Sequence, residues 1–172
     1  MQEIIFEEKG NNVVNDLTLP KVIVERLIEK NLTLASAESC TGGLFAKEVT
    51  EISGASAVFD RSIVTYSNNA KIEELGVKEE TLLNFGAVSM QTAYEMACGI
   101  KNVSNTDIGI SVTGIAGPTG ATKDKPVGLV YVGIATDTGV KVRELRLLGD
   151  RAENRKNSML NMFDMINEFL NK

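Results

Sequence analysis

Apolar positions along the chain switch repeatedly between helical spacing and strand-like runs. Pro20 suits a first helical turn, and Val24, Leu27 and Ile28 recur at helical intervals up to about Lys30. Leu32 to Ala37 reads as a short strand. After Gly42-Gly43, the positions Leu44, Phe45, Val49 and Ile52 mark a helix closed by Gly54. Val58 to Tyr66 is β-rich, with Asp60-Arg61-Ser62 as an interruption. Asn68 is placed to cap a short helix that ends before Gly76, and residues 78–85 give another helical turn or two before Gly86. Ser89 caps a helix whose face carries Met90, Ala93, Ala97 and Ile100. Asp107 to Val112 alternates as a strand, and Gly114 to Gly120 is a loop. Val127 to Ala135 is almost continuously apolar, as in a sheet covered on both faces. Asp137-Thr138-Gly139 then turns the chain into a charged strand, Val140 to Leu148. A last helix begins at Asp150, with Glu153 in the capping-box position and Met159, Met162, Phe163, Ile166 and Leu170 on one face.

Strands alternating with helices, broken by one late hairpin, predict a single-domain α/β protein. The sheet is expected to be mixed and mostly parallel, with an antiparallel strand near an edge. Ahead of this rhythm, residues 1–17 give little. Ile4, Ile5 and Phe6 suggest a strand and Gly10-Asn11-Asn12 a turn, so 1–17 are read as an N-terminal extension without an assigned role and 18–172 as the domain.

Length and composition narrow the chemistry. With 172 residues, 43% of them hydrophobic, the chain is long enough to build a core without crosslinks. Its formal net charge of −5 argues against nucleic acid or an anionic membrane surface as a partner. Cys40 and Cys98 form no disulfide framework, no apolar run is long enough to span a bilayer, and the acidic start is not a signal peptide; a cytoplasmic protein is expected. Histidine is absent altogether, which excludes a Ser-His-Asp triad, a Cys-His dyad and His-ligated zinc. Any general base must then be Lys, Tyr, Asp, Glu or a terminus.

Four segments have the residue types for such chemistry. Ala37-Glu38-Ser39-Cys40-Thr41-Gly42-Gly43 lies between a strand and a helix, where a small nucleophile can attack while free N–H groups of Thr41 to Gly43 hold an oxyanion. Composition alone does not choose between Ser39 and Cys40, nor between this reading and a simple helix cap. In Thr65-Tyr66-Ser67-Asn68-Asn69-Ala70-Lys71, an enclosed Lys71 tends to lose its proton, as a base must, and Tyr66 is placed to relay a proton or orient the amine. The glycine-dense stretch Thr113-Gly114-Ile115-Ala116-Gly117-Pro118-Thr119-Gly120 follows a strand and can wrap amides around a phosphate or carbonyl. In Gly149-Asp150-Arg151-Ala152-Glu153-Asn154-Arg155, Arg151 and Arg155 share a helix face and suggest an anion between them.

In order and approximate spacing, these segments resemble the nicotinamide-nucleotide amidohydrolase family, which is also the C-terminal domain of the competence/damage-inducible protein CinA. The stretches that carry the likeness are Ala37–Gly43, Val64–Asn68 with Lys71, Val112–Pro118, Lys125-Pro126-Val127-Gly128 and Gly149-Asp150-Arg151, and it covers about residues 20–170. The resemblance implies a three-layer α/β/α sandwich and hydrolysis of nicotinamide mononucleotide to nicotinic acid mononucleotide and ammonia. It implies Ser39 as nucleophile, with Lys71 and Tyr66 as base and proton-handling pair. Ser56 matches a polar site position, Thr113 and the backbone after it (Gly114, Ala116, Gly117) line the nucleotide pocket, and Arg151 is a phosphate ligand; Arg155 is added from helix geometry. No metal or cofactor and a homo-oligomer are implied. The sequence departs from the family pattern at Arg61-Ser62, where two glycines are common, and at Ala121. The 20 or so further residues are too few for the larger domain that precedes this module in full-length CinA, so its pyrophosphatase activity is not carried over. A non-catalytic nucleotide-binding module acting through a protein partner is the alternative, and an amidase using Cys40 is a second.

Overall fold

The computed structural model describes residues 4–172. Its elements are β1 (Ile4–Glu8), α1 (Leu19–Lys30), β2 (Leu34–Glu38), α2 (Leu44–Thr50), β3 (Phe59–Val64), α3 (Asn68–Leu75), α4 (Glu79–Phe85), α5 (Met90–Ser104), β4 (Ile108–Gly114), β5 (Leu129–Thr136), β6 (Gly139–Arg146) and α6 (Arg151–Leu170). The strands form one sheet in the order β1-β6-β5-β4-β2-β3. Only β5 runs against its neighbours; β1 is parallel to β6, and β2 is parallel to both β3 and β4.

The antiparallel strand is therefore inside the sheet, not near its edge. The reason is the N-terminal extension: residues 4–8 add a strand beyond β6, with Glu7 in register with Arg143. That register explains a side chain that is otherwise hard to place. Arg143 is fully buried, and it is held by Glu7, Asp164 and Glu168 at 2.6–2.7 Å and by Asn161 at 3.2 Å. A buried guanidinium is tolerated only when its donors are matched in this way.

Helices α1, α2 and α6 cover one face of the sheet and α3, α4 and α5 the other, giving three layers. The larger core fills the first interface, where Phe45 of α2 meets Phe163 of α6 at 4.4 Å between ring centres. Smaller clusters under α5 fill the second. On that side Gly109 lets β4 approach α5, because a Cβ there would collide with the Ala97 carbonyl.

The polar stretch Asp60-Arg61-Ser62 does not interrupt β3. It lies in an outer strand, where exposed positions are cheap, and the register slips there so that Asp60 is skipped. From β2 the chain goes by way of α2 to β3 on one side, then through α3, α4 and α5 to β4 on the other side. The crevice beyond the carboxyl ends of β2, β3 and β4 is therefore a topological switch point, where ligands of open α/β sheets bind.

Candidate active site

The turn after β2 is built around a buried carboxylate. Glu38 is fully buried and accepts four hydrogen bonds: from the Thr41 hydroxyl (2.7 Å), the Phe45 and Ala46 N–H groups (2.9 and 3.1 Å) and the Ser62 hydroxyl (3.0 Å). Ser62 in turn accepts from Ser36 at 2.7 Å. The open amides of the first turn of α2 are thus taken by the protein itself. Ser39 follows directly. Its N–H still donates to Val112 of β4 (3.1 Å), and its carbonyl accepts from Gly42 N–H (3.0 Å). Gly42 and Gly43 have φ of 60° and 98°, a left-handed pair that reverses the chain towards α2.

Lys71 arrives from the other side of β2. Ser67, not Asn68, caps α3 by accepting from Ala70 N–H at 3.0 Å. One turn later the Lys71 side chain runs inward and is only 1% exposed. Its Nζ donates to the Thr65 carbonyl (2.7 Å) and lies 3.2 Å from Ser39 Oγ. No carboxylate pairs with it among the described residues. Burial pushes its amine below the ordinary value of 10.5, a shift that Cys40 only partly opposes. An amine with one N–H anchored on a carbonyl, facing a hydroxyl and short of counter-ions, is suited to accept the hydroxyl proton.

The glycine-dense loop closes the far wall. The Thr113 hydroxyl donates to the Ala87 carbonyl (2.7 Å), fixing the segment before α5 against the end of β4. Gly117 has φ 89°, and a Cβ there would lie 2.5 Å from Val127. The loop is strapped to α6. Asn154, fully buried, donates to the Ala116 carbonyl at 3.1 Å, and Arg151 Nη1 donates to the Gly117 carbonyl at 2.8 Å.

Between these walls lies a cavity of about 310 Å³. Ser39, Lys71, Tyr66, Thr113 and Arg151 line it, with Gly114, Ala116 and Gly117 of the loop. Cys40, the Ala87-Val88 segment and Ile115, Thr119 and Gly120 complete the wall. Tyr66 and Arg151 are at the mouth: Tyr66 is 65% exposed, and its hydroxyl meets Arg151 Nη2 at 3.5 Å but neither Ser39 nor Lys71.

Five expected residues lie elsewhere. Thr41, Gly42 and Gly43 build the turn but do not line the cavity; Thr41 gives its hydroxyl to Glu38, and Gly42 N–H is turned back on Ser39. Ser56 is exposed in a separate recess with Ile52, Phe59 and Asp60. Arg155 does not share an anion with Arg151. Its Nε donates to the Cys40 carbonyl (3.1 Å) and its Nη2 to the Thr41 carbonyl (2.8 Å), behind the Ser39 turn.

Cys40 lines the cavity next to Ser39; its thiol is pushed up to about 12, chiefly by burial, and the Lys71 amine meets the Ser39 hydroxyl, not the thiol. Sequence reasoning passed over Glu38, whose signal was present: a carboxylate inside a run of small residues at the end of a buried strand. Asn154 gave no comparable signal, since an Asn in the first turns of a helix is usually a surface residue.

Residues 16–170 match the CinA C-terminal domain family. A competence-damage inducible protein of Acetivibrio thermocellus is 54% identical over 157 residues, covering 91% of this chain and 38% of that protein. A CinA-like protein of Kosmotoga olearia is 48% identical over 172 residues, covering 99% of this chain and 42% of that one. The chain thus spans about two fifths of the length of these relatives. Among solved structures, the competence/damage inducible protein CihA of Agrobacterium tumefaciens superposes with a TM-score of 0.86 at 44% identity, covering 90% of this chain and 94% of that one.

Proposed function

The chain belongs to the CinA C-terminal domain family, and from that premise we propose that it is a serine amidohydrolase that converts nicotinamide mononucleotide to nicotinic acid mononucleotide and ammonia. The observation that carries this reading is the buried contact of 3.2 Å between Lys71 Nζ and Ser39 Oγ at the floor of an open cavity.

In this reading neutral Lys71 takes the Ser39 proton as Oγ attacks the carboxamide carbon. The resulting ammonium returns its proton to the departing nitrogen, and ammonia leaves an acyl-serine. Lys71, neutral again, takes a proton from water as it attacks the acyl carbon and passes it to Ser39 Oγ as the acyl–Oγ bond breaks; nicotinic acid mononucleotide and free Ser39 result. The substrate amide points inward to Ser39, and its phosphate faces Arg151 and Tyr66 at the mouth, the place where a cation is exposed to receive it. Lowering of the Lys71 amine by burial makes the neutral base available nearer to neutral pH.

The test is ammonia release from the mononucleotide by wild type and by Ser39→Ala. The expected loss is at least about a thousandfold in kcat, in line with removal of other hydrolytic serines. Ammonia release by Ser39→Ala at near the wild-type rate sinks the assignment. Tight nucleotide binding without turnover by the wild type favours the non-catalytic module instead.

A further inference from the structure

The nucleophile turn is fastened from behind by a residue that never reaches the cavity. Ser39 can aim its hydroxyl at Lys71 only if residues 39–42 hold one conformation. Their main chain has three backbone fixings, Ser39 N–H on Val112, Gly42 N–H on Ser39 and Leu44 N–H on the Thr41 carbonyl at 3.2 Å, and none of these holds the Cys40 carbonyl. The carbonyls of Cys40 and Thr41 face away from the sheet towards α6, and one guanidinium takes both, through Arg155 Nε at 3.1 Å and Nη2 at 2.8 Å. A planar fork cannot satisfy two successive carbonyls unless their peptide planes hold a fixed mutual angle. Because each peptide is trans, fixing a C=O also fixes the N–H on its other side. No carboxylate pairs with Arg155 among the described residues, so its charge is directed at these carbonyls alone.

Arg155 also lies directly beside Gly42, where an added Cβ would meet Nη2 in ordinary contact at 3.6 Å. The same two turns of α6 carry Arg151 and Asn154, which hold Gly117 and Ala116 of the opposite wall. One rigid helix therefore sets both sides of the cavity.

We propose that Arg155 is a positioning residue, whose guanidinium locks the Cys40 and Thr41 peptides and so aims Ser39 Oγ at Lys71, with no contact to substrate. The role in turnover rests on the amidohydrolase reading; the aim of Ser39 does not. Two readouts separate them. The first is the rate at which a small uncharged fluorophosphonate labels Ser39, in which the Ser39 O–P bond forms, the P–F bond breaks, fluoride leaves and the hydroxyl proton passes to Lys71. The second is kcat and KM for the mononucleotide.

Arg155→Met should lower both the labelling rate and kcat by about tenfold to a hundredfold, the usual result of sub-ångström to 1 Å misplacement, with KM within about twofold. Arg155→Lys, which reaches only one carbonyl, should fall between. Added guanidinium ion should restore part of both rates to Arg155→Ala, which also covers the case in which the methionine variant folds poorly. Labelling at the wild-type rate by Arg155→Met overturns the proposal. So does a rise in KM with labelling unchanged, the signature of a substrate ligand. If the wild type labels at Ser39 but releases no ammonia, the substrate reading fails and Arg155 is judged on labelling alone. If Ser39→Ala labels as fast as wild type, Ser39 is not the activated group and both readings fall.

Discussion

Replacing Lys71 by Met tests the energetic basis of the site without any substrate. In the folded chain the Lys71 ammonium lacks a carboxylate partner and is almost fully enclosed, so the folded-state value is depressed below 10.5 while the unfolded chain keeps the ordinary one. Below the depressed value both states carry the proton, and folding bears the whole cost of enclosing a charge. Between that value and 10.5 the unfolded state binds more protons than the folded state, so stability climbs with pH. Above 10.5 the cost has vanished. One proton difference gives a slope of at most about 1.4 kcal/mol per pH unit. Met removes this dependence. It also removes the hydrogen bonds to Thr65 and Ser39, a pH-independent loss of about 1 kcal/mol each. The stability of wild type minus that of Lys71→Met should therefore rise with pH across the window, with wild type ahead at its alkaline end. Urea denaturation of both proteins at matched pH from about 6 to about 10 gives the difference directly, and every titrating group not coupled to Lys71, as Cys40 is, cancels in it. The wild-type kcat/KM should rise and level off through the same folded-state value, and Lys71→Met should lose about a thousandfold in kcat. A stability difference that stays flat or falls as pH rises would show that the amine is not depressed, and the base assignment would go with it.

Three further substitutions examine the frame. Arg143→Met should cost about 3 kcal/mol at neutral pH, near the low end for breaking a buried ion network because its carboxylates keep some water. Burial pushes Glu7 and Glu168 up, but hydrogen bonds and charge from Arg143 and Lys141 hold both below 4.5; the stability they add is present above that value and lost as pH falls through the depressed ones, so the gap between wild type and variant should narrow in acid denaturant melts. Gly128→Ala should cost at least about 3 kcal/mol by urea denaturation, since φ is +88° and a Cβ would strike the Leu147 carbonyl. Gly76→Ala, with φ +67° and open space around it, should cost only about 1 kcal/mol.

Local pattern carried most of the elements. Helical spacing located α1, α5 and α6, and the Asp150–Glu153 capping box starts α6 where the sequence places it. Strand ends moved for reasons a pattern does not contain. Val127 and Gly128 are outside β5 because Gly128 is left-handed and its N–H turns to Ile115. Glu38 belongs to β2 because four donors, three from the turn and helix that follow it and one from Ser62 of β3, neutralise the cost of burying it. The polar middle of β3 was misleading since alternation fails in a strand that has sheet on one side only.

The sequence by itself determined the chemical alphabet. Without histidine, a hydrolytic serine needs an unusual base, and Ser39, Lys71 and the glycine-dense loop are visible as motifs because each depends on its own neighbours in the chain. Tertiary structure alone decided which of them meet. The pairing of Ser39 with Lys71 joins residues 32 apart, and the hold of Arg155 on Cys40 joins residues 115 apart. Spacing along a chain says nothing about such encounters, because they are set by which strands lie side by side and by what each buried polar group must find as a partner. Arg155 shows the difference most plainly. Four positions from Arg151 on one helix, it looks like half of an anion site; the fold gives it two carbonyls first.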